Sequence, residues 1–167
     1  FRIIRPDGGI RIIKANSQTI RDQSGKALRM IGTNVDISER KYEEQKLRES
    51  EDRYRDLVEN SSDLICTHDL EGNLLSVNEA ALRLTGYTRE QLLRMSLNDL
   101  LTPQTRVLLP AYLRRIRKQG RARGVMEIQT ASGEIRFWDY DNSLRSDGVS
   151  PIVRGMARDI TERKQAA

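Results

Sequence analysis

The stretches GTNVDISERK (Gly32–Lys41) and GMARDITERK (Gly155–Lys164) share six identities in ten, and this repetition decides how the rest of the chain is read. Upstream, DGGIRII (Asp7–Ile13) aligns with SGEIRFW (Ser132–Trp138), so the offset drifts from 125 to 123 residues. Residues 1–37 therefore correspond to residues 126–160, the last three strands of a unit whose earlier elements occur only once, between about residues 60 and 125. One copy is a stump and the other is whole. At both endings a final strand turns into a helix. The carboxylates of Asp36 and Asp159 can cap the first backbone N–H groups there, and Ser38 and Thr161 can each add a hydroxyl. If force passes from sheet to helix at that junction, these four residues are also its coupling element; a plain helix start is the alternative.

In the whole copy, DLICTHD (Asp63–Asp69) is a short apolar-rich run, stopped by Glu71-Gly72-Asn73 and resumed by Leu74–Val77, a hairpin pattern. Asn78 is a good N-cap for a helix over Glu79–Leu84 that ends at Gly86, and Thr88 with Gln91 forms a capping box over Leu92 and Leu93. A longer helix is predicted at about Gln104–Gln119. There Leu109, Tyr112, Leu113 and Ile116 fall at i, i+3, i+4 and i+7, and Pro110 belongs in the first turn or marks a kink. Val125–Thr130, Ile135–Asn142 and Ile152–Asp159 read as strands, separated by turn signals at Ser132-Gly133 and Asp147-Gly148. Strands at both ends with helices between predict an α+β domain, a five-stranded antiparallel sheet with helices on one face and one modest core. The stump's apolar positions, such as Ile10, Ile12, Leu28 and Ile31, have no helices of their own to cover them. The stump is expected to pack on the whole domain, a second chain or the intervening helix.

From Ser38 to Asp56 the chain carries 13 charged residues in 19 and neither Gly nor Pro. That is a solvated helix, and in its best heptad register only Ile37, Leu47, Tyr54 and Val58 are apolar among the a and d sites. A weakly paired or sheet-packed rod of about 20 residues, roughly 30 Å long, is expected to carry rotation or displacement between the units it joins.

Charged residues make up 32% of the 167, and no apolar run approaches the length of a bilayer span. The chain opens in a strand without an initiating Met and reads as a piece of something longer, with no secretion signal. One cysteine, Cys66, and one histidine, His68, leave no multi-cysteine zinc site and no Ser-His-Asp constellation, and a Gly-rich phosphate loop is lacking. The fragment is expected to be non-catalytic and to hold no metal. Seven bases and no acid lie between Arg106 and Arg123, but they form the solvated back of an amphipathic helix without interleaved aromatics, which disfavours nucleic acid.

With these pieces placed, YRDLVENSSDLICTHDLEGNLLSVNEAALRLTGYTREQLL (Tyr54–Leu93), followed by the strand block ending GMARDITERK, resembles the PAS sensory domain over about residues 50–164. The stump resembles the tail of a preceding PAS unit. SERKYEEQKLRESEDRYRDL (Ser38–Leu57) resembles the signalling helix that links tandem PAS modules. The expected boundaries are residues 1–37 for the stump, 38–58 for the connector helix, 59–161 for the whole domain and 162–167 for the next linker helix. The resemblance implies sheet order 2-1-5-4-3 and a cavity for a small-molecule ligand between sheet and helices. It also implies a cytoplasmic sensory and relay role in a sensor histidine kinase or diguanylate cyclase, with the output domain in the same chain. A transcription factor is an equal third choice of output. A homodimer is expected through the linker helix and the outer sheet face.

Cofactor-binding members of that family need residues this chain lacks. The long helix has no histidine to ligate haem, and His68, in the hairpin THDLEG, reads as a surface or turn residue. No GRNCRF-like motif is present, and Cys66 on the first strand reads as a small buried thiol. No cofactor is predicted: haem is disfavoured, and a flavin or other chromophore is the alternative. The pocket candidates are Tyr87, Leu113, Ile128, Asp139 and Asp141. On one strand Trp138 and Tyr140 alternate with Asp139 and Asp141, so the two pairs face opposite sides. Hydrophobicity buries the aromatics, whereas similar positions in cofactor-binding relatives turn residues 139 and 141 toward the pocket. The sequence leaves this open; the second is the expectation, with Trp138 and Tyr140 on the outer sheet as an interface and a polar or cationic ligand, or water, inside.

Overall fold

In a computed structural model that describes residues 1–146 and 148–166, the chain divides into two compact units, Phe1–Tyr54 and Arg55–Ala167. Asp147 of the predicted Asp147-Gly148 turn lies outside the described residues. In the first unit the alternating segments pair as an antiparallel sheet of order β1 (Arg2–Ile4), β2 (Ile10–Arg21) and β3 (Ala27–Asp36). Gly25 turns β2 into β3 at φ +85°, a conformation that costs a glycine little, while Asp22 accepts from the N–H groups of Ser24 and Lys26. Ile10, Leu28 and Ile31 are exposed and Ile12 is half-buried. The charged run forms α1 (Ser38–Glu59), 22 residues long with none buried.

The second unit opens with β4 (Leu64–His68) and β5 (Leu74–Val77), and closes with β6 (Arg121–Gln129), β7 (Ile135–Arg145) and β8 (Ile152–Asp159). These make one antiparallel sheet of order β5-β4-β8-β7-β6, which is the predicted 2-1-5-4-3. Between them lie α2 (Glu79–Thr85), α3 (Arg89–Leu92), α4 (Leu97–Leu100), α5 (Pro103–Arg106) and α6 (Leu109–Gln119), and α7 (Thr161–Gln165) follows β8. The capping signals are realised: Thr88 and Gln91 form the reciprocal box, and Gly86 ends α2 in the left-handed region. The predicted long helix is instead two pieces, interrupted at Val107 and Leu108. Pro110 falls in the first turn of α6, where no N–H is needed.

One face of the sheet holds the core, in which Leu64, Cys66, Trp138 and Ala157 meet Ala81, Leu92, Leu101 and Ile128 from helices and edge strand. The aromatic strand therefore faces opposite to the expectation. Trp138 is 3% exposed within this core and Tyr140 packs against it, while Asp139 is exposed on the other side. Asp141 there accepts from Arg121 Nε at 2.9 Å and Arg123 Nε at 2.9 Å. Two carboxylates turned inward would each lose several kcal/mol of hydration with no cation to offset it, whereas an indole brings a large apolar area. Burial decides, and the analogy with cofactor-binding relatives fails. Gly155 on β8 completes the face: a Cβ there would sit 3.0 Å from Cys66 Sγ and 3.1 Å from Asn142 Oδ1.

Asn78 joins the layers. It is 1% exposed, and its Oδ1 accepts from the N–H groups of Ile65 at 3.0 Å and Ala81 at 3.2 Å. Its Nδ2 donates to the carbonyls of Val58 at 2.9 Å and Asp63 at 3.1 Å. The predicted N-cap of α2 is thus also the peg that holds the last turn of α1 and the start of β4. Asn78→Ala removes the cap and strands buried backbone groups, so we expect a loss of about 3 kcal/mol. Urea unfolding of the full chain, followed by the fluorescence of Trp138, measures it; a loss below about 1 kcal/mol would contradict the assignment.

Candidate functional site

Helices α4 to α6 and strands β6 and β7 line a half-open cavity of about 60 Å³, walled by Leu97, Leu101, Leu109, Tyr112, Met126 and Tyr140 among others, with no charged lining residue. Leu109 and Tyr112, three apart, present one face of α6 to it. Tyr140 reaches in because β6 carries Gly124 opposite it: a Cβ there would lie 3.0 Å from the Tyr140 hydroxyl. The sequence-predicted pocket residues are elsewhere. Tyr87 and Leu113 are half-buried, Ile128 is wholly inside the main core, and Asp139 and Asp141 are on the far face; none of the five lines the cavity. Tyr140, expected on the outer sheet, does.

Tyr112 ties this cavity to a buried polar chain that sequence reasoning missed. Its hydroxyl lies 2.9 Å from His68 Nε2 and 2.6 Å from Asn142 Nδ2, and His68 Nδ1 lies 2.6 Å from the carbonyl oxygen of Asp69. His68 is 0% exposed, not a surface or turn residue. It closes β4 on the same face as Leu64 and Cys66, and the period-two run Leu64, Cys66, His68 is the signal that could have placed it inside. Burial drives the His68 pKa below its ordinary value, against the opposing pull of Asp69, and pushes the Tyr112 hydroxyl up. Cys66 is buried as expected, its thiol pushed up to about 12 by loss of hydration.

Both sheet-to-helix junctions carry one and the same clamp. At the first, Asp36 Oδ1 accepts from the Ser38 N–H at 2.9 Å and from the Ser38 hydroxyl at 2.6 Å, and Ser38 Oγ accepts from the N–H of Ile12 at 2.8 Å. At the second, Asp159 Oδ1 accepts from the Thr161 N–H at 2.9 Å and from its hydroxyl, and Thr161 Oγ1 accepts from the N–H of Phe137 at 3.0 Å. Arg11 lies 3.7 Å from Asp36, and Arg136 lies 2.8 Å from Asp159. The hydroxyl that begins each helix is thus bonded back to the neighbouring strand, which a cap alone would not require. Burial raises the Asp159 pKa, but the bonds from Thr161 and Arg136 outweigh it and hold the carboxyl below its ordinary range; Asp36 is lowered by its bonds from Ser38.

A model of the PAS fold matches residues 52–160, and a second PAS-fold model matches residues 1–34. The chain belongs to the PAS family. The sensor histidine kinase TmoS of Ectopseudomonas mendocina is 32% identical over 121 residues, covering 70% of this chain and 12% of that protein. Sensor protein FixL of Bradyrhizobium diazoefficiens is 26% identical over 170 residues, covering 99% of this chain and 34% of that protein. A crystallised domain of a sensory box sensor histidine kinase/response regulator from Geobacter sulfurreducens matches with TM-score 0.60 and 30% identity, over 68% of this chain and 96% of that one. The chain thus spans 12% and 34% of the length of these two sensor proteins. In this PAS pair, the clamp predicts a shared phenotype. Thr161→Val is expected to expose the Phe137 amide to exchange and to cost about 2 kcal/mol, and Ser38→Ala to expose the Ile12 amide at a smaller cost. Amide hydrogen exchange resolves both; unchanged protection at Ile12 and Phe137 would show the hydroxyls to be incidental.

Proposed function

We propose that the chain is a non-catalytic sensing and relay segment of a cytoplasmic sensor histidine kinase, in which the second unit perceives a small uncharged molecule and its flanking helices pass the result on. The observation that carries this reading is the double duty of β7. Tyr140 lines the cavity, and three residues away on the same strand Phe137 gives its N–H to Thr161, the first residue of the leaving helix. A shift of β7 on ligand entry therefore acts directly on α7. At the other end, Asn78 and the Arg89 guanidinium, 2.8 Å from Glu79 and 3.3 Å from Glu59, fasten the last turn of α1 to the same core.

The residue set offers haem no free axial histidine. α6 carries no histidine, and both nitrogens of His68 are engaged by Asp69 and Tyr112. Among the described residues no group of three His, Cys, Asp or Glu is placed to hold a metal. Ligand pockets usually measure about 300–1,000 Å³, and the present cavity, at about 60 Å³, suits only a molecule of a few heavy atoms. The relatives' names support a kinase as the output in the same chain. Dimerisation belongs to the proposal through α1, whose Leu47 and Tyr54 are exposed at heptad spacing. The outer sheet face, with its ion pairs, offers less than the aromatic patch first expected. Among the described residues no helix is long and apolar enough to cross a membrane.

Thermal-shift screening of the full chain against small uncharged molecules tests the reading. At about a hundredfold excess over Kd a true ligand adds roughly 2.7 kcal/mol of stability. Met126→Trp, which fills the cavity, should abolish that gain while circular dichroism stays native. A gain that survives Met126→Trp would move the ligand out of this cavity.

A further inference from the structure

The hydrogen-bond directions along the buried chain follow from its donors and acceptors when the imidazole is neutral. A carbonyl only accepts, so His68 Nδ1 carries the proton that meets the Asp69 oxygen; an amide nitrogen only donates, so Asn142 Nδ2 gives its hydrogen to the Tyr112 oxygen. The Tyr112 O–H is then free to donate to His68 Nε2, which accepts it in the neutral imidazole. The protonation state of the imidazole thus sets the polarity of a side chain that lines the cavity.

The surroundings give a charged His68 little support. On its own strand the Cys66 thiol is neutral, and the opposing residues, Leu74 on β5 and Val153 on β8, are apolar. β7 supplies the uncharged Asn142 and sets Tyr140 edge-on against Tyr112. The Asp69 carboxylate is committed to the hairpin, accepting from Glu71 and from the backbone and side chain of Asn73. From α6, besides Tyr112, comes Arg117, which donates to the Leu70 carbonyl at 2.7 Å beside Glu71.

We propose that this unit also senses protons: a proton taken from solvent at His68 Nε2 reverses the hydrogen bond to Tyr112 and loosens α6 from the sheet. Only that proton moves, and no bond between heavy atoms changes. Tyr112 then faces two donors, His68 and Asn142, and its own O–H must turn to solvent or to Asn142 Oδ1 after rotation of the amide. Burial disfavours the cation, so the neutral chain is complete above pH 6.5, the ordinary histidine value, and stability is lost as pH falls below it toward the folded-state midpoint. That α6 is the sensing wall rests on the function proposed above; the protonation step does not.

The chain has one histidine, so its imidazole signals in ¹H–¹⁵N NMR of the full chain need no assignment. We expect the Nδ1-protonated neutral tautomer at pH 7.5 and a titration midpoint below 6.5. The amides of residues 109–119 and the fluorescence of Trp138 should move with that midpoint while far-ultraviolet circular dichroism is unchanged. In Tyr112→Phe the imidazole should still titrate, with the α6 amides no longer following. An Nε2-protonated tautomer at pH 7.5, a midpoint at or above 6.5, or α6 amides indifferent to the titration would overturn the proposal. Should Tyr112→Phe fail to fold, the wild-type tautomer and α6 response decide the matter alone. Failure of small molecules to bind the cavity would count against the ligand reading and leave these results unaltered.

Discussion

The carboxamide of Asn78 meets four backbone groups at once, two at the oxygen and two at the nitrogen, and they belong to the end of α1, the loop after it, β4 and α2. A buried amide is tolerated only when both of its ends are satisfied, so its position is over-determined by the elements it joins. No shorter or purely apolar side chain can hold a helix carbonyl and a strand N–H in the same dry place. The sheet face, the helices that cover it and the attachment of α1 all inherit their registration from this one contact. Arg89 repeats the logic at the rim, donating to the Val77 carbonyl while its other nitrogen faces Glu59 and Glu79. The helix that arrives from the charged segment thus ends in a socket of fixed directionality.

Strand positions, helix caps and the paired junctions were legible because each rests on local chemistry that leaves a mark in the chain: alternation, a Thr-x-x-Gln box, a repeated Asp-Ile-Ser/Thr ending; the sheet order came from the family resemblance. What was not legible depended on partners far away in sequence. Alternation places Trp138 and Tyr140 opposite Asp139 and Asp141; burial of the aromatics decides which pair goes inside, and Arg121 and Arg123, about 20 residues earlier, hold the Asp141 carboxylate on the outer face. Hydrophobicity alone had the right answer, and analogy with other members of the family displaced it. His68 failed for a different reason. Its neighbours in sequence are turn residues, although it shares a face with Leu64 and Cys66 and its side-chain partner, Tyr112, lies 44 residues on at 2.9 Å.

The cavity shows the same limit. Its wall combines α6, whose inward stripe the sequence announced, with Tyr140 and Met126, whose orientation follows from strand register and from the room Gly124 leaves. Of the candidates chosen by residue type at expected positions, Tyr87 and Ile128 serve the packing of the core, and Leu113 is half-buried outside the cavity wall. Composition finds which residues are inside; it does not divide the inside into filled space and open space, a difference of a few ångströms set by close packing.

The two junction clamps differ in their surroundings more than in their geometry, and that difference bears on how a relay works. Both use a carboxylate at the strand end, a hydroxyl at the helix start and the N–H of the adjoining strand. Around Thr161 the clamp is buried, and the strand it grips also walls a cavity; around Ser38 the gripped strand belongs to a sheet whose apolar residues are largely exposed. Hydrogen bonds in water exchange partners at little cost, whereas a buried one is expensive to break because neither group finds a substitute. A displacement of β7 must therefore carry Thr161 with it, while the same displacement of β2 could let Ser38 exchange its strand partner for water. Identical motifs thus differ in stiffness according to the core behind them, and only the second unit has the core to make its clamp an obligatory link.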